Sequence, residues 1–227
     1  ALYSNTTGIG NVAVGRYALF NNDTAIYNTA VGVNALFSNT SGPGNTAVGH
    51  GALYYNTTGT SNSAFGVNTL NDNTTGYGNT GVGYQALFFN TTGYFNSASG
   101  HRSLYTNTTG TNNTAQGYYA LYFNTTGSSN SALGYYSLYT NTTGSGNIAQ
   151  GINSLYTNTV GNNNTAIGSY ADVAVSNLTN TTALGYNATV EKNNKLRVGD
   201  PAIVSIGGEV AGQHSATAVI RKFGTTS

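Results

Sequence analysis

The chain has 227 residues, a formal net charge of +1 and only 6% charged side chains. So sparse a charge argues against nucleic-acid or anionic-membrane partners, which require clustered Lys and Arg, and no stretch approaches the ~18 apolar residues of a membrane-spanning helix. With 18 Tyr and 8 Phe it is too aromatic for a disordered chain, 31 Gly with 2 Pro does not suit collagen, and the absence of Cys excludes a disulfide framework and thiolate metal sites.

The chain opens Ala1-Leu2-Tyr3, partway through a repeat, and reads as a processed chain or as part of a longer one. From there a leucine recurs every 17 residues from Leu2 to Leu155, a glycine from Gly15 to Gly185 and an asparagine from Asn11 to Asn164. The consensus is N-T-A-V-G-x-x-A-L-Y-x-N-T-T-G-x-x, with no break in register. A helical-hairpin repeat needs about 33 residues or more, and Gly, Asn and Thr are poor in helix interiors. The 17-residue unit predicts one coil of an all-β, parallel β-solenoid, with each coil pairing with the next ~4.8 Å above it.

Within each coil two extended segments are expected, N-T-A-V-G and A-L-Y-x-N-T-T, joined by turns whose glycines supply positive φ. Alternation assigns the faces. Ala13 begins a column holding Ala in every coil except Gly81, a size restriction that marks the interior, where the Leu column should meet it. The Val14 column admits Ser99, Gln116 and Gln150 and is expected on the surface or at a subunit interface. Stacked Asn columns predict side-chain hydrogen bonds along the axis, or caps on turn backbone.

Two further columns present functional alternatives. Asn-x-Thr/Ser sequons run from Asn5 to Asn141 at the repeat spacing, and glycans every ~4.8 Å would clash, so they are read as a turn-forming ladder. Aromatics follow the Leu column from Tyr3 to Tyr156, and Tyr118, Tyr119, Tyr135 and Tyr136 cluster after two Gly-column positions. They either pack between coils or protomers, or form a contact face for glycan or protein ligands. A threonine column from Thr7 to Thr143 raises ice binding, but the paired threonines are adjacent and should face opposite sides.

Chemistry is not evident. Residues 1–189 hold only Arg16, Arg102, Asp23, Asp72, Asp172, His50 and His101 as charged or titratable non-tyrosine side chains. The two His share a column three coils apart, ~14 Å, too far to share a metal. No catalytic residues, cofactor-binding residues or metal ligands are assigned, and no enzyme is expected.

The repeat, as in Asn79-Thr80-Gly81-Val82-Gly83-Tyr84-Gln85-Ala86-Leu87 followed by Asn90-Thr91-Thr92-Gly93, resembles the head repeats of trimeric autotransporter adhesins of the Yersinia adhesin type, over about residues 2–190. The resemblance implies a left-handed parallel β-roll, three chains per head, and exposure on a cell surface or outside the cell. The best-known heads use coils of roughly 14 residues, shorter than these. The succession Asn180–Ala188, Asn194–Gly199 and Ser205–Ala211 is similar to the junction between such heads and an endosialidase-type intramolecular chaperone.

The solenoid domain is expected over residues 1–188, with a C-terminal β cap or linker over 189–227, where five of the seven basic residues lie. Short strands are predicted at Lys195–Val198 and Ile203–Ile206. A further strand, Ala216–Phe223, would set Ala216, Ala218 and Ile220 on one face, with Phe223 at its end. It either caps its own chain or is donated to a neighbour to link subunits into a filament. Function then reads as an extracellular structural or adhesive repeat protein, head or shaft of a surface fibre. Its partners would be further copies of itself, as homotrimer or filament, and host or environmental glycan or protein surfaces.

Overall fold

A computed structural model describes residues 1–200 and 202. The fold is an all-β parallel solenoid. Ten three-residue strands recur at the repeat spacing: β1 (Val12–Val14), β2 (Thr29–Val31), β3 (Thr46–Val48), β4 (Ser63–Phe65), β5 (Thr80–Val82), β6 (Ser97–Ser99), β7 (Thr114–Gln116), β8 (Ser131–Leu133), β9 (Ile148–Gln150) and β10 (Thr165–Ile167). Then come β11 (Asp172–Val173), β12 (Thr182–Leu184), β13 (Thr189–Val190) and β14 (Leu196–Val198). A single parallel sheet of 12 strands takes β1 to β10 in order, then β12 and β14. Its register pairs Ala13 with Ala30 and Ala30 with Ala47, so the columns read in the sequence are straight files in space.

The core is thin. The Ala file from Ala30 to Ala183 and the Leu file from Leu19 to Leu155 are buried and form one continuous apolar cluster. Val14, by contrast, is 57% exposed, and Phe65, Val82, Leu133, Ile167 and Leu184 of its file also face outward. The expected assignment of faces therefore holds.

The second segment of each coil differs from expectation. A-L-Y-x-N-T-T is not extended but forms successive turns, and every Leu from Leu2 to Leu155 has a left-handed backbone, with φ between 48° and 55°. That conformation costs a non-Gly residue ~1–2 kcal/mol. Complete burial of a leucine side chain contributes about 1.5–3 kcal/mol, so the core term offsets the backbone strain. The file ends where Asp172 replaces Leu and its carboxylate accepts hydrogen bonds from the Thr157 N–H at 3.0 Å and the Val173 N–H at 2.8 Å. Here the turn gives way to β11, which pairs with β13 to make the small second sheet. The predicted strand at Lys195–Val198 is β14, and its register with β12 sets Ala183 against Arg197, so the last coil is 14 residues long. Ile203–Ile206 and the proposed donated strand with Ala216, Ala218, Ile220 and Phe223 lie outside the described residues.

Two asparagine files hold the coils in register. In the first, each Nδ2 donates to the Oδ1 of the preceding coil and to a carbonyl three residues on: Asn107 reaches Asn90 at 2.8 Å and Gly110 at 3.0 Å, and Asn124 reaches Asn107 at 2.8 Å and Gly127 at 2.9 Å. The chain of amides runs unbroken from Asn5 to Asn158. In the second file the amides grip the next coil twice, except at Asn28, whose buried Nδ2 has no partner. Asn96 Oδ1 accepts from the Asn113 N–H at 3.0 Å, while Asn96 Nδ2 donates to the Gly110 carbonyl at 2.8 Å. A buried polar group left without its partner costs ~1–3 kcal/mol, so each amide is held where it is.

The Gly file follows from the same close stacking. A Cβ on Gly83, at φ +125°, would sit 2.7 Å from the Gly100 carbonyl oxygen of the next coil. Gly81, the exception in the Ala file, has a different reason. A Cβ there would lie 2.5 Å from the Thr69 methyl, and Thr69 stands in a file otherwise made of Ala and Ser. The added volume at Thr69 is accommodated by the missing methyl at Gly81.

Two measurements check this account. Gly81→Ala should destabilise by about 1–3 kcal/mol through overpacking, and adding Thr69→Ala should recover most of that loss; additive effects in chemical denaturation would contradict the size compensation. Asn107→Asp should cost ~3–5 kcal/mol at neutral pH, because a carboxylate would face the Asn90 and Gly110 oxygens without a donor. Its folded pKa would be raised above the ordinary carboxyl value, so the deficit should shrink as pH falls through that raised value and level off below about 4. Denaturation midpoints of variant and parent across that range give the answer, and a pH-independent deficit counts against it.

Candidate functional site: an aromatic corner

The turns after the Gly file carry three adjacent files of side chains, and in the coils from Tyr84 to Tyr156 these become aromatic. The first file stacks Tyr84, His101, Tyr118 and Tyr135 at 5.2, 5.0 and 5.4 Å between ring centroids. The second places Tyr119 on Tyr136 at 5.4 Å. The third runs Tyr105, Tyr122, Tyr139 and Tyr156 at 5.1, 5.5 and 5.5 Å. Edge-to-face contacts tie the files together, including Tyr118 to Tyr119 and Tyr135 to Tyr136 at 4.3 Å each and Tyr136 to Tyr139 at 4.6 Å. The four tyrosines singled out in the sequence are thus brought together. Tyr105, Tyr122, Tyr139 and Tyr156, read in the sequence only as a column, belong to the same corner; the three-residue spacing of Tyr119 from Tyr122 across a tight turn is the signal for it.

Arg102 anchors one end. Its guanidinium carbon lies 5.2 Å from the Tyr105 ring centroid and 5.9 Å from that of Tyr84, its Nε donates to Gln85 Oε1 at 2.8 Å, and its NH1 donates to the Tyr119 hydroxyl at 3.4 Å. His101 is stacked between two tyrosines, and its Nδ1 is buried without a hydrogen-bond partner.

The second file of this corner has a left-handed backbone. Arg102, Tyr119 and Tyr136 have φ of 52°, 55° and 53°. The same file holds Asn34, Gly51, Asn68 and Asn153, residue types that adopt the left-handed region at little cost, but also Tyr17, Gln85 and Tyr170 at φ 59°, 55° and 60°. Large side chains are held against their conformational preference in this file both inside the corner and outside it.

The rings lie nearly parallel to their neighbours along the axis, 8° for Tyr118 with Tyr135 and 7° for Tyr105 with Tyr122, so they cover one another's faces. What turns to solvent is ring edges and hydroxyls. A sugar stacking flat on an aromatic face finds no open face within a file; a ligand here meets a row of phenol groups.

Proton affinity follows this crowding. Partial burial, with neighbouring phenols adding to it, pushes the Tyr105 and Tyr139 phenols up. A hydrogen bond with Tyr119 is the largest cause of the rise at Tyr118. Tyr136 is pushed up to about 12, by burial first and then by the hydroxyl of Tyr135.

The other sequence candidates fall elsewhere. The sequon asparagines from Asn22 to Asn141 are buried, and each Nδ2 already donates twice within the amide file, leaving no hydrogen for a glycan linkage in the folded chain. Of the paired threonines, Thr57, Thr74 and Thr91 turn their hydroxyls to carbonyls of the next coil, while Thr58, Thr75 and Thr92 are exposed. One threonine file, not two, faces water. Among the described residues no three His, Cys, Asp or Glu come together as a metal site, and no helix is long and apolar enough to cross a membrane. Charge gathers on the final coil, where Glu191, Lys192, Lys195 and Arg197 border an open hollow of about 300 Å³.

No protein-family model matches the chain, and no curated protein is significantly similar to it.

The raised phenols predict an alkaline stability limit. The folded chain retains protons that the unfolded chain releases near pH 10, so stability should be intact below that value and fall as pH rises from 10 toward about 12. Tyrosinate absorbance of the native protein should therefore lag behind that of the urea-unfolded chain, and melting temperature should drop over the same interval. Superimposable titrations would overturn the assignment.

Proposed function

We propose that this chain is an extracellular structural and adhesive repeat protein, the head or shaft of a surface fibre, assembled as a homotrimer and without enzymatic activity. The reading rests chiefly on the outer face of the 12-strand sheet. Its two outward files, Val12 to Thr182 and Val14 to Leu184, contain no ionisable residue. Beside them Val33, Val67, Tyr84, Tyr118, Tyr135 and Ile152 are each 41–48% exposed.

Eleven rungs at ~4.8 Å and a width of ~14 Å make a strip of roughly 700 Å². That is close to the ~800 Å² each partner contributes to a stable interface. A straight strip whose two central files carry no charge, with Arg16, His50 and His101 only in the file beside them, fits a copy of itself in register. The resemblance of the N-T-A-V-G repeats to trimeric adhesin heads supplies the copy number and the surface location. Adhesion to glycan or protein surfaces would use the outward turns, the tyrosine corner among them.

Light scattering and electron microscopy of the purified chain test this. Rod-like particles of three chains are expected. Phe65→Lys with Val82→Lys should weaken assembly by more than about tenfold, since buried unpaired charges cost several kcal/mol, with the circular dichroism of the β-solenoid retained. A monomer at micromolar concentration, or assembly indifferent to the two lysines, would remove the basis for the trimer.

A further inference from the structure

We propose that the stacked tyrosines are a site of oxidative cross-linking, at which dityrosine bonds join successive coils of one chain. Two independent observations carry this. The first is geometric. Tyr105, Tyr122, Tyr139 and Tyr156 form one file, with centroids 5.1–5.5 Å apart and ring planes within 22° of parallel. Tyr118 and Tyr135 form a second pair at 5.4 Å and 8°, 42% and 48% exposed. Each ring is stacked with its partner in the next coil at 5.1–5.5 Å between centroids, within the distance that a modest tilt of two rings closes.

The second is compositional. The chain has 18 Tyr but no Cys, Met or Trp. Thiols and thioethers, the side chains that ordinarily absorb oxidant, are missing. An electron removed from this protein comes from a phenol, and the hole finds another phenol one coil away. The same composition denies the fold any disulfide, so no oxidative tie between coils can run through sulfur.

The reaction needs a haem-peroxidase-class oxidant and hydrogen peroxide. The oxidant takes one electron and one proton from each of two phenols. The two phenoxyl radicals join ortho carbon to ortho carbon, and each ring regains aromaticity as its ortho hydrogen moves to oxygen. One peroxide is reduced to two waters, and the chain loses two hydrogens per bond. Tied this way, a 17-residue loop is closed at each coil, which restricts the unfolded chain as a disulfide would.

Horseradish peroxidase with hydrogen peroxide, added to the purified chain, provides the test. Expected are dityrosine fluorescence, loss of two hydrogens per bond by mass spectrometry, and peptide links joining residues 17 apart, Tyr105 to Tyr122 and Tyr118 to Tyr135 among them. The yield per tyrosine should be several-fold higher from the folded chain than from the urea-unfolded chain, and the denaturation midpoint should rise. Tyr122→Phe keeps a ring that the same file accepts at Phe20 and Phe37, stacked at 5.4 Å. It should abolish the links at 105–122 and 122–139 and spare 118–135. Links at random separations, links only between chains, or equal yields from folded and unfolded protein would overturn the proposal.

Discussion

The structure depends on the side-chain amide of asparagine repeating in register. A coil of 17 residues contributes little apolar surface: one alanine, one leucine and a small residue beside them. Hydrophobic burial alone would tolerate a coil slipped or rotated by a residue. The amides do not, because each is bonded both within its own turn and to the neighbouring coil, and a slip would strand buried donors and acceptors on both sides. Backbone rungs run through the turns as well as the strands, as where the N–H groups of Thr91, Thr92 and Gly93 all address the Thr108 carbonyl. Every coil is thus a template for the next, and stability should propagate between nearest neighbours, as in other solenoids.

Close stacking has a cost in conformational freedom that the sequence meets in different ways. Where two backbones approach too closely for any Cβ, the Gly file is invariant from Gly15 to Gly185. Where the backbone is left-handed but space remains, the chain uses Asn or Gly in some coils and large side chains in others. The Leu file accepts strain in every coil because the side chain is needed inside. At Arg102, Tyr119 and Tyr136 the strained residue is only partly buried, so core packing does not explain the choice. The same holds at Tyr17, Tyr27, Phe95 and Tyr170, so this strain recurs along the surface and is not confined to the tyrosine corner.

Much of this is legible without coordinates. Periodicity places the files, the size limit at the Ala column identifies the interior, and Ser99, Gln116 and Gln150 mark the outer face. The turn geometry around Leu was not legible, since leucine with positive φ is uncommon and A-L-Y reads naturally as extended. A subtler signal lies two residues earlier, where Asn34, Gly51 and Asn68 belong to the residue types that favour a left-handed backbone. The tyrosine corner was half visible: adjacent tyrosines showed a cluster, but only the turn brings the Tyr119 file against the Tyr122 file. The shortened final coil was hidden too, because the Asn180 to Asn194 correspondence is clear only once the amides are seen to bond, at 2.8 Å.

The first amide file also has a direction. From Asn158 back to Asn5 every N–H points toward the first coil and every carbonyl toward the last, and the terminal acceptor on Asn158 is met by Asn164 at 3.2 Å. Aligned amide dipoles add, as they do along a helix, so this file has a polarity of its own and ends in chemically unlike groups. Rods packed in register, as in the proposed trimer, share one direction, and rods joined tip to tail extend that direction without reversing it. An assembly of such units therefore has an intrinsic sense of up and down.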